Sequence, residues 1–300
     1  MDYFLQQLIN GVTLGGIYAL IALGYTMVYG IIQLINFAHG EFFAAGGYIG
    51  VIFITWLSAQ GLHPYVCLGL SLLLSMLYCA LLAMAVEKVA YKPLRYASRL
   101  SVLLSALGMS IFLQNGLMLT QGVYDKPYPT DLTQGGFAMG GVVVSYMQII
   151  ILVLTTVLLI GLNAMVFKTR IGKAMRATAQ DKVMSGLVGI NSSTVISFTF
   201  AIGAALAAAA GIMVGFYYGS VNYTMGFVPG IKAFAAAVLG GIGNITGAMV
   251  GGLIIGMVEI FAAGYLSSEY KDVFAFIILI AVLYFMPTGI MGENVDDTRV

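Results

Sequence analysis

The sequence predicts an all-α polytopic membrane protein with about eight or nine transmembrane helices, one of them short or broken near residues 231–242. Three observations predict it. Of 300 residues, 60% are hydrophobic and only 8% charged, with a mean hydropathy of +0.98, whereas soluble domains carry about 25% charged residues. Apolar runs recur along the chain at lengths close to the roughly 20 residues that span hydrocarbon. The 38 glycines suit helices that approach closely in lipid, where small residues let backbones touch.

Nine apolar segments follow in order: 5–35, 42–60, 65–86, 102–120, 146–167, 194–219, 231–242, 246–263 and 273–291. The first begins behind Met1-Asp2-Tyr3, which has no basic leader, so no cleaved signal peptide is expected. Cys67 and Cys79 share the third segment, about 18 Å apart on a helix and beyond disulfide reach, and read as packing residues. The seventh is too short to cross as a straight helix. It is either a half-span or one arm of a broken helix joined to the eighth, since non-helical backbone at that depth needs cover from protein or a water-filled cavity.

Lys and Arg in short loops set the orientation. Lys88, Lys92, Arg95 and Arg99 make one basic loop, and Lys168 to Lys182, with five of the thirteen basic residues, makes the other. Both belong in the cytoplasm. The loop 168–191 is then cytoplasmic and 121–145 outside, with Asp125, Lys126 and Asp131. The N-terminus falls outside. The C-terminus is inside if the seventh segment crosses and outside if it does not, and the tail (Glu293, Asp296, Asp297, Arg299) is too evenly charged to decide. The chain reads as one transmembrane domain, residues 1–300.

Glycines recur every four residues at Gly243, Gly247 and Gly251, at Gly252 and Gly256, and at Gly211, Gly215 and Gly219. Internal helix packing is the expected use, with a subunit interface as the alternative. Leu239-Gly240-Gly241-Ile242-Gly243-Asn244 reads as a sharp turn between the seventh and eighth segments. Its flanks are membrane segments, so it is not a dinucleotide fingerprint. Gly172-Lys173 lacks the rest of a phosphate-binding loop, and no nucleophile, metal-ligand cluster or nucleic-acid footprint is apparent. The expectation is a chain without catalytic residues, metal or cofactor.

Three polar side chains interrupt the oil between the first two segments: Asn36, His39 and Glu41. Either they cap a helix–turn–helix, with Glu41 at the positive N-terminal end of the next helix, or they form a gate at the cytoplasmic mouth. A proton or ion site is the third reading. Lys232 and Glu259 could pair near the outer face if the seventh segment crosses, although snorkelling to the interface accounts for each alone. Tyr217, Tyr218, Tyr223 and Phe227 suit an aromatic belt at the outer surface.

Ile35-Asn36-Phe37-Ala38-His39-Gly40-Glu41, the stretch Gly172-Lys173-Ala174-Met175-Arg176-Ala177 through Gly189-Ile190-Asn191, and Leu239 to Ala248 together resemble the membrane permeases of bacterial high-affinity branched-chain amino acid ABC importers. The likeness runs nearly end to end and is strongest to the shorter, H-type permease subunit. It implies an inner-membrane complex with a homologous second permease, two cytoplasmic ABC ATPases and a periplasmic binding protein. It also implies a coupling helix near 173–187 that the ATPase grips, with Arg176, Ala177, Asp181, Lys182 and Gly189 as its residues. Many such permeases carry a Glu-Ala-Ala motif there; this chain reads Arg176-Ala177-Thr178-Ala179. Ala177, Met184 and Leu187 would give the apolar edge, and Arg176, Asp181 and Lys182 the charges that set register. Relatives that move urea or short amides are the alternative within the subfamily. A secondary transporter would need intramembrane carboxylates, for which only Glu41 and Glu259 qualify.

Overall fold

A computed structural model describes residues 1–95, 97–129, 135–286 and 288–292. Asp131, the charged tail residues and the side chain of Arg99, all weighed above, lie outside the described residues. Among the described residues, seven helices are long and apolar enough to cross a membrane. They are α1 (Asp2–Ile32), α2 (His39–Ala59), α3 (Pro64–Val86), α4 (Arg99–Gln121), α5 (Tyr146–Lys168), α8 (Ser192–Tyr218) and α10 (Ile245–Tyr265). Two shorter apolar helices, α9 (Phe227–Gly240) and α11 (Lys271–Phe285), complete the bundle. The cytoplasmic helices α6 (Arg170–Gln180) and α7 (Lys182–Leu187) join α5 to α8.

The centre is α1, which is buried almost continuously from Gly11 to Val28. A helix apolar on every side has no face left for water. Its partner α10 runs antiparallel, with Gly15 against Leu253 and Gly11 against Met257. The second central helix, α8, is lined with Ala207 to Ala210, all buried, and packs on α1, α2 and α3. The outer helices show broad apolar faces: Leu73, Leu77 and Leu81 of α3, Ile111 and Phe112 of α4, Val157 and Ile160 of α5, Ile280 and Tyr284 of α11. Lipid tails solvate such faces at no cost.

Helix ends follow local chemistry. Ser145 and Gln148 form a reciprocal capping box at the start of α5. Asn191 caps α8 and Asn244 caps α10, their side-chain oxygens accepting N–H groups that a helix start leaves unpaired. Four short strands lie between the helices, at the end where the chain begins: β1 (Lys126–Pro127) pairs with β4 (Ser220–Val221), and β2 (Gly136–Met139) with β3 (Val142–Ser145).

Charge separates the two ends. Lys88, Lys92, Arg95, Lys168, Arg170, Lys173, Arg176 and Lys182 gather at one; Asp2, Asp125, Glu269 and Asp272 lie at the other. The basic end is cytoplasmic by the charge rule, which puts the start of α1 outside. α9 ends at the cytoplasmic side, where Gly243 lies 3.6 Å from the Cβ position of Gly30 near the end of α1. Its 14 residues rise only about 21 Å, so it starts inside the bundle. The strand after α8 carries the chain back down to that start, making α9 a half-span. α11 then returns to the cytoplasmic end, where Ile290 N–H donates to the Leu239 carbonyl (2.8 Å) and Met291 N–H to that of Gly240 (3.0 Å).

Candidate functional site

The cytoplasmic element is two helices rather than one across 173–187. Asp181 breaks them, with extended backbone (φ −151°, ψ 113°) and a carboxylate that accepts the N–H groups of Val183 (2.7 Å) and Met184 (3.0 Å). Asp181 therefore caps α7 through one carboxylate oxygen while its side chain stays exposed. Arg176 is also occupied: its guanidinium donates to the Val166 carbonyl at 2.9 Å and lies 5.1 Å from the Phe167 ring, tying α6 to the end of α5. Gly172 permits that tight turn, because a Cβ there would strike the Val166 and Met165 carbonyls. Gly189 has φ +87° and ends α7, letting Ile190 N–H reach the Ser185 carbonyl at 3.0 Å, the glycine stop expected of helix C-termini.

What remains free is apolar. Val183, Met184, Leu187 and Val188 are each more than 60% exposed, Leu187 at 77%, and they cluster on one short helix. Ala177 sits half-buried on α6, away from that patch, so the expected edge of Ala177, Met184 and Leu187 becomes an edge on α7 alone. Lys182 flanks it; desolvation and the nearby Arg95 cation lower its ammonium from the ordinary value.

Asn36, His39 and Glu41 do not line an open mouth. Gln33 turns the chain in the left-handed region (φ 58°), and the loop folds back into the bundle. His39 starts α2 wedged against Gly24 and Gly203, and Gly24 lies eight residues before the end of α1, about 12 Å of helix. All three side chains are buried. Asn36 Oδ1 accepts from Ala38 N–H (3.1 Å) and from the Tyr91 hydroxyl (2.6 Å), which is the capping reading with an added tie to α3's extension. Glu41 stands in the first turn of α2 and accepts from Ser110 of α4 at 3.1 Å.

The glycines pack within the chain. Gly240 and Gly247 face each other across the α9–α10 hairpin, and Gly251 lies on the Ala236 carbonyl. Gly252 and Gly256 serve the opposite face of α10, against Ala19 and Gly15 of α1. Gly241 (φ +102°) and Gly243 (φ +97°) make the turn, so Gly243 is not part of the ridge. Gly211 and Gly215 seat Phe43 and the Tyr128 ring, and Gly219 (φ +77°) closes α8.

Lys232 and Glu259 pair rather than snorkel. Their charged atoms are 2.7 Å apart with residue exposures of 2% and 1%. Asp272 meets the same ammonium at 2.5 Å, Lys271 lies 3.7 Å from Glu259, and the Tyr18 hydroxyl donates to Glu259 at 2.7 Å. Four helices, α1, α9, α10 and α11, meet at this knot. Sequence reasoning missed its Tyr18 and Asp272 members, and it missed Tyr128 altogether. The outer loop drives Tyr128 between α2 and α8, where its hydroxyl donates to the Gly47 carbonyl at 2.5 Å and its ring packs on Phe216. The facing Gly50 and Gly215, at the slot a tyrosine needs, were the available signal.

Residues 7–283 match the family described as branched-chain amino acid transport system / permease component. The chain belongs to that family. The permease is 52% identical to the high-affinity branched-chain amino acid transport system permease protein BraD of Pseudomonas aeruginosa, over 97% of this chain and 96% of that one. It is 47% identical to the corresponding protein LivH of Escherichia coli K12, again over 97% and 96%. A probable branched-chain amino acid transport permease protein LivH of Methanocaldococcus jannaschii is 31% identical over 92% of this permease and 88% of its own length. Among solved structures, PsaBC from Streptococcus pneumoniae in complex with Fab overlays with a TM-score of 0.47 at 12% identity, covering 96% of the permease and 93% of that chain, too loosely to carry an argument.

A permease of this build offers two kinds of working part. The α7 patch stands exposed, and the half-span α9 is held by ion pairs at one end and glycine contacts at the other. Among the described residues no three His, Cys, Asp or Glu side chains gather as a metal ion would need.

Proposed function

We propose that this chain is one of two permease subunits of an ATP-driven importer of leucine, isoleucine and valine in the bacterial inner membrane. Residues 1–300 form its single transmembrane domain, with 168–191 facing two cytoplasmic ABC ATPases and 121–145 facing a periplasmic binding protein. A homologous permease completes the pore, and the ATPases hydrolyse ATP, so the chain itself is not an enzyme. The observation that carries this reading is the exposed apolar patch of Val183, Met184, Leu187 and Val188 on the basic end. A membrane protein has no reason to display four such side chains to cytosol unless a partner covers them. The names of its relatives support the substrate class.

ATP-driven closure of the ATPases would push α7, and through the rigid α5–α6 turn pinned by Arg176 and Gly172, rock the bundle between inward- and outward-open forms. Selectivity belongs to the binding protein, which explains why so few polar groups line the spans. Urea or short amides are the second substrate reading within the subfamily.

The test is ATP hydrolysis by the reconstituted complex in proteoliposomes, with and without leucine-loaded binding protein. Leu187→Asp should abolish the stimulation, because it places a charge in the gripped patch; Arg176→Glu, whose partner is a carbonyl of the same chain, should cost stability as well. Leucine uptake that requires only this chain and an ion gradient would sink the importer. Stimulation by urea-loaded protein would replace the substrate alone.

A further inference from the structure

The start of α9 meets the start of α2 at a crevice that none of the roles above uses. Gly40 lies against Gly226 and Gly230, with 3.1 Å from the Cβ position of Gly230 to the Gly40 Cα, so two helix N-termini converge inside the bundle. α9 has no side-chain cap there. Glu41 is 1% exposed, and only its Oε1 is satisfied, by Ser110. Oε2 has no hydrogen-bond partner and points at Gly226, 3.0 Å from where a Cβ would stand. Beside it is a cavity of about 40 Å³ that Ser110 and the glycines Gly40, Gly226 and Gly230 share with a larger apolar wall, including Leu107, Phe227 and Phe234.

A buried carboxylate without a cation is costly, by several kcal/mol. The partial positive charge of the helix ends offsets part of this, yet no backbone N–H bonds to Oε2. The vacant acceptor, the Ser110 hydroxyl and the largely apolar chamber beside them suit a group that carries N–H donors and positive charge on an aliphatic body. A chamber of that volume admits an ammonium head, since about 10–15 Å³ holds one water.

We propose that this crevice is a transit site for the primary ammonium of the transported amino acid. Glu41 and Ser110 accept its N–H groups, and the apolar Leu107 and Phe227 receive its side chain. One carboxylate and one hydroxyl hold it weakly enough to release. The inference rests on amino-acid import as proposed above and adds where the zwitterion is read within the span. Urea, with no ammonium, gains nothing from a buried anion.

The experiment uses the complete complex in proteoliposomes and follows radiolabelled leucine moved per ATP hydrolysed. For Glu41→Gln the ratio should fall about tenfold, the loss expected when a charge-assisted hydrogen bond becomes a neutral one; Ser110→Ala should lower it less. An unchanged ratio in Glu41→Gln overturns the site and leaves the importer standing. Should that variant fail to assemble, Ser110→Ala decides: a lowered ratio upholds the site and an unchanged one overturns it. Uptake that responds to an imposed Na⁺ or proton gradient, and loses that response in Glu41→Gln, assigns the crevice to an inorganic cation and overturns the proposal. Absence of leucine uptake by the unmodified complex, with stimulation by another loaded binding protein, removes the function reading itself.

Discussion

At Lys232 a single ammonium holds three helices. It meets Glu259 and Asp272 within 2.7 Å, in a place where 2% exposure leaves no water to replace them. Removing one partner of a buried pair strands the other, at a cost of about 3–5 kcal/mol. Lys232→Met should therefore lower the thermal stability of the purified permease sharply, while the double change Lys232→Met with Glu259→Met should recover much of the loss. Equal destabilisation by single and double variants would show that packing, not charge, holds the knot. Tyr128→Phe makes a milder case. It leaves the ring on Phe216 and removes one hydrogen bond to the Gly47 carbonyl, which keeps its place in the α2 helix, costing about 0.5–1.5 kcal/mol. That loss is read as a shift in unfolding temperature, and no shift would mean water reaches the slot.

Between residues and the whole, the elements are governed by caps and glycines. Asp181→Ala removes the oxygen that accepts two N–H groups of α7, a loss of about 1 kcal/mol for a typical cap. A six-residue helix has little else to hold it, because short helices are marginal in water. Protease cleavage within 181–190 should rise, and ATPase stimulation should fall with it. Asp181→Asn, which keeps an acceptor, should restore both; failure to do so would give the charge itself a role. In α10 the two glycine faces cannot exchange. A valine at Gly256 would drive its Cβ into the backbone of Gly15, so Gly256→Val should fail to accumulate in membranes, whereas Gly243→Ala, with no atom within 4 Å of its Cβ, should accumulate and show only the strain of φ +97°. The four-residue spacing announced both glycines alike. Only the turn geometry separates Gly243 from the ridge.

For the whole molecule, charge asymmetry predicts sidedness that labelling can test. A cysteine at Val183 should react with a membrane-impermeant maleimide only from the cytoplasm, and one at Tyr124 only from outside, since both positions are exposed at opposite ends and the native Cys67 and Cys79 are buried. The reverse pattern would invert the assignment. The run of membrane-length helices was legible in the sequence because hydropathy acts locally, residue by residue along the chain. The half-span at α9 was legible as a length, 231–242, but its starting depth was not. Nor was it legible that the segment after α11 returns to the end of α9, where residues 290 and 291 bond to Leu239 and Gly240.

The sequence by itself determined that this chain lives in a membrane and to which family it belongs, since composition and ordered motifs need no fold to be read. Tertiary structure alone decided that His39 and Glu41 are buried among other helices, and that Tyr18, 241 residues from Glu259, bonds to it. The physical reason is that a polar group in oil must find a partner, and which partner it finds depends on helices brought together from distant parts of the chain.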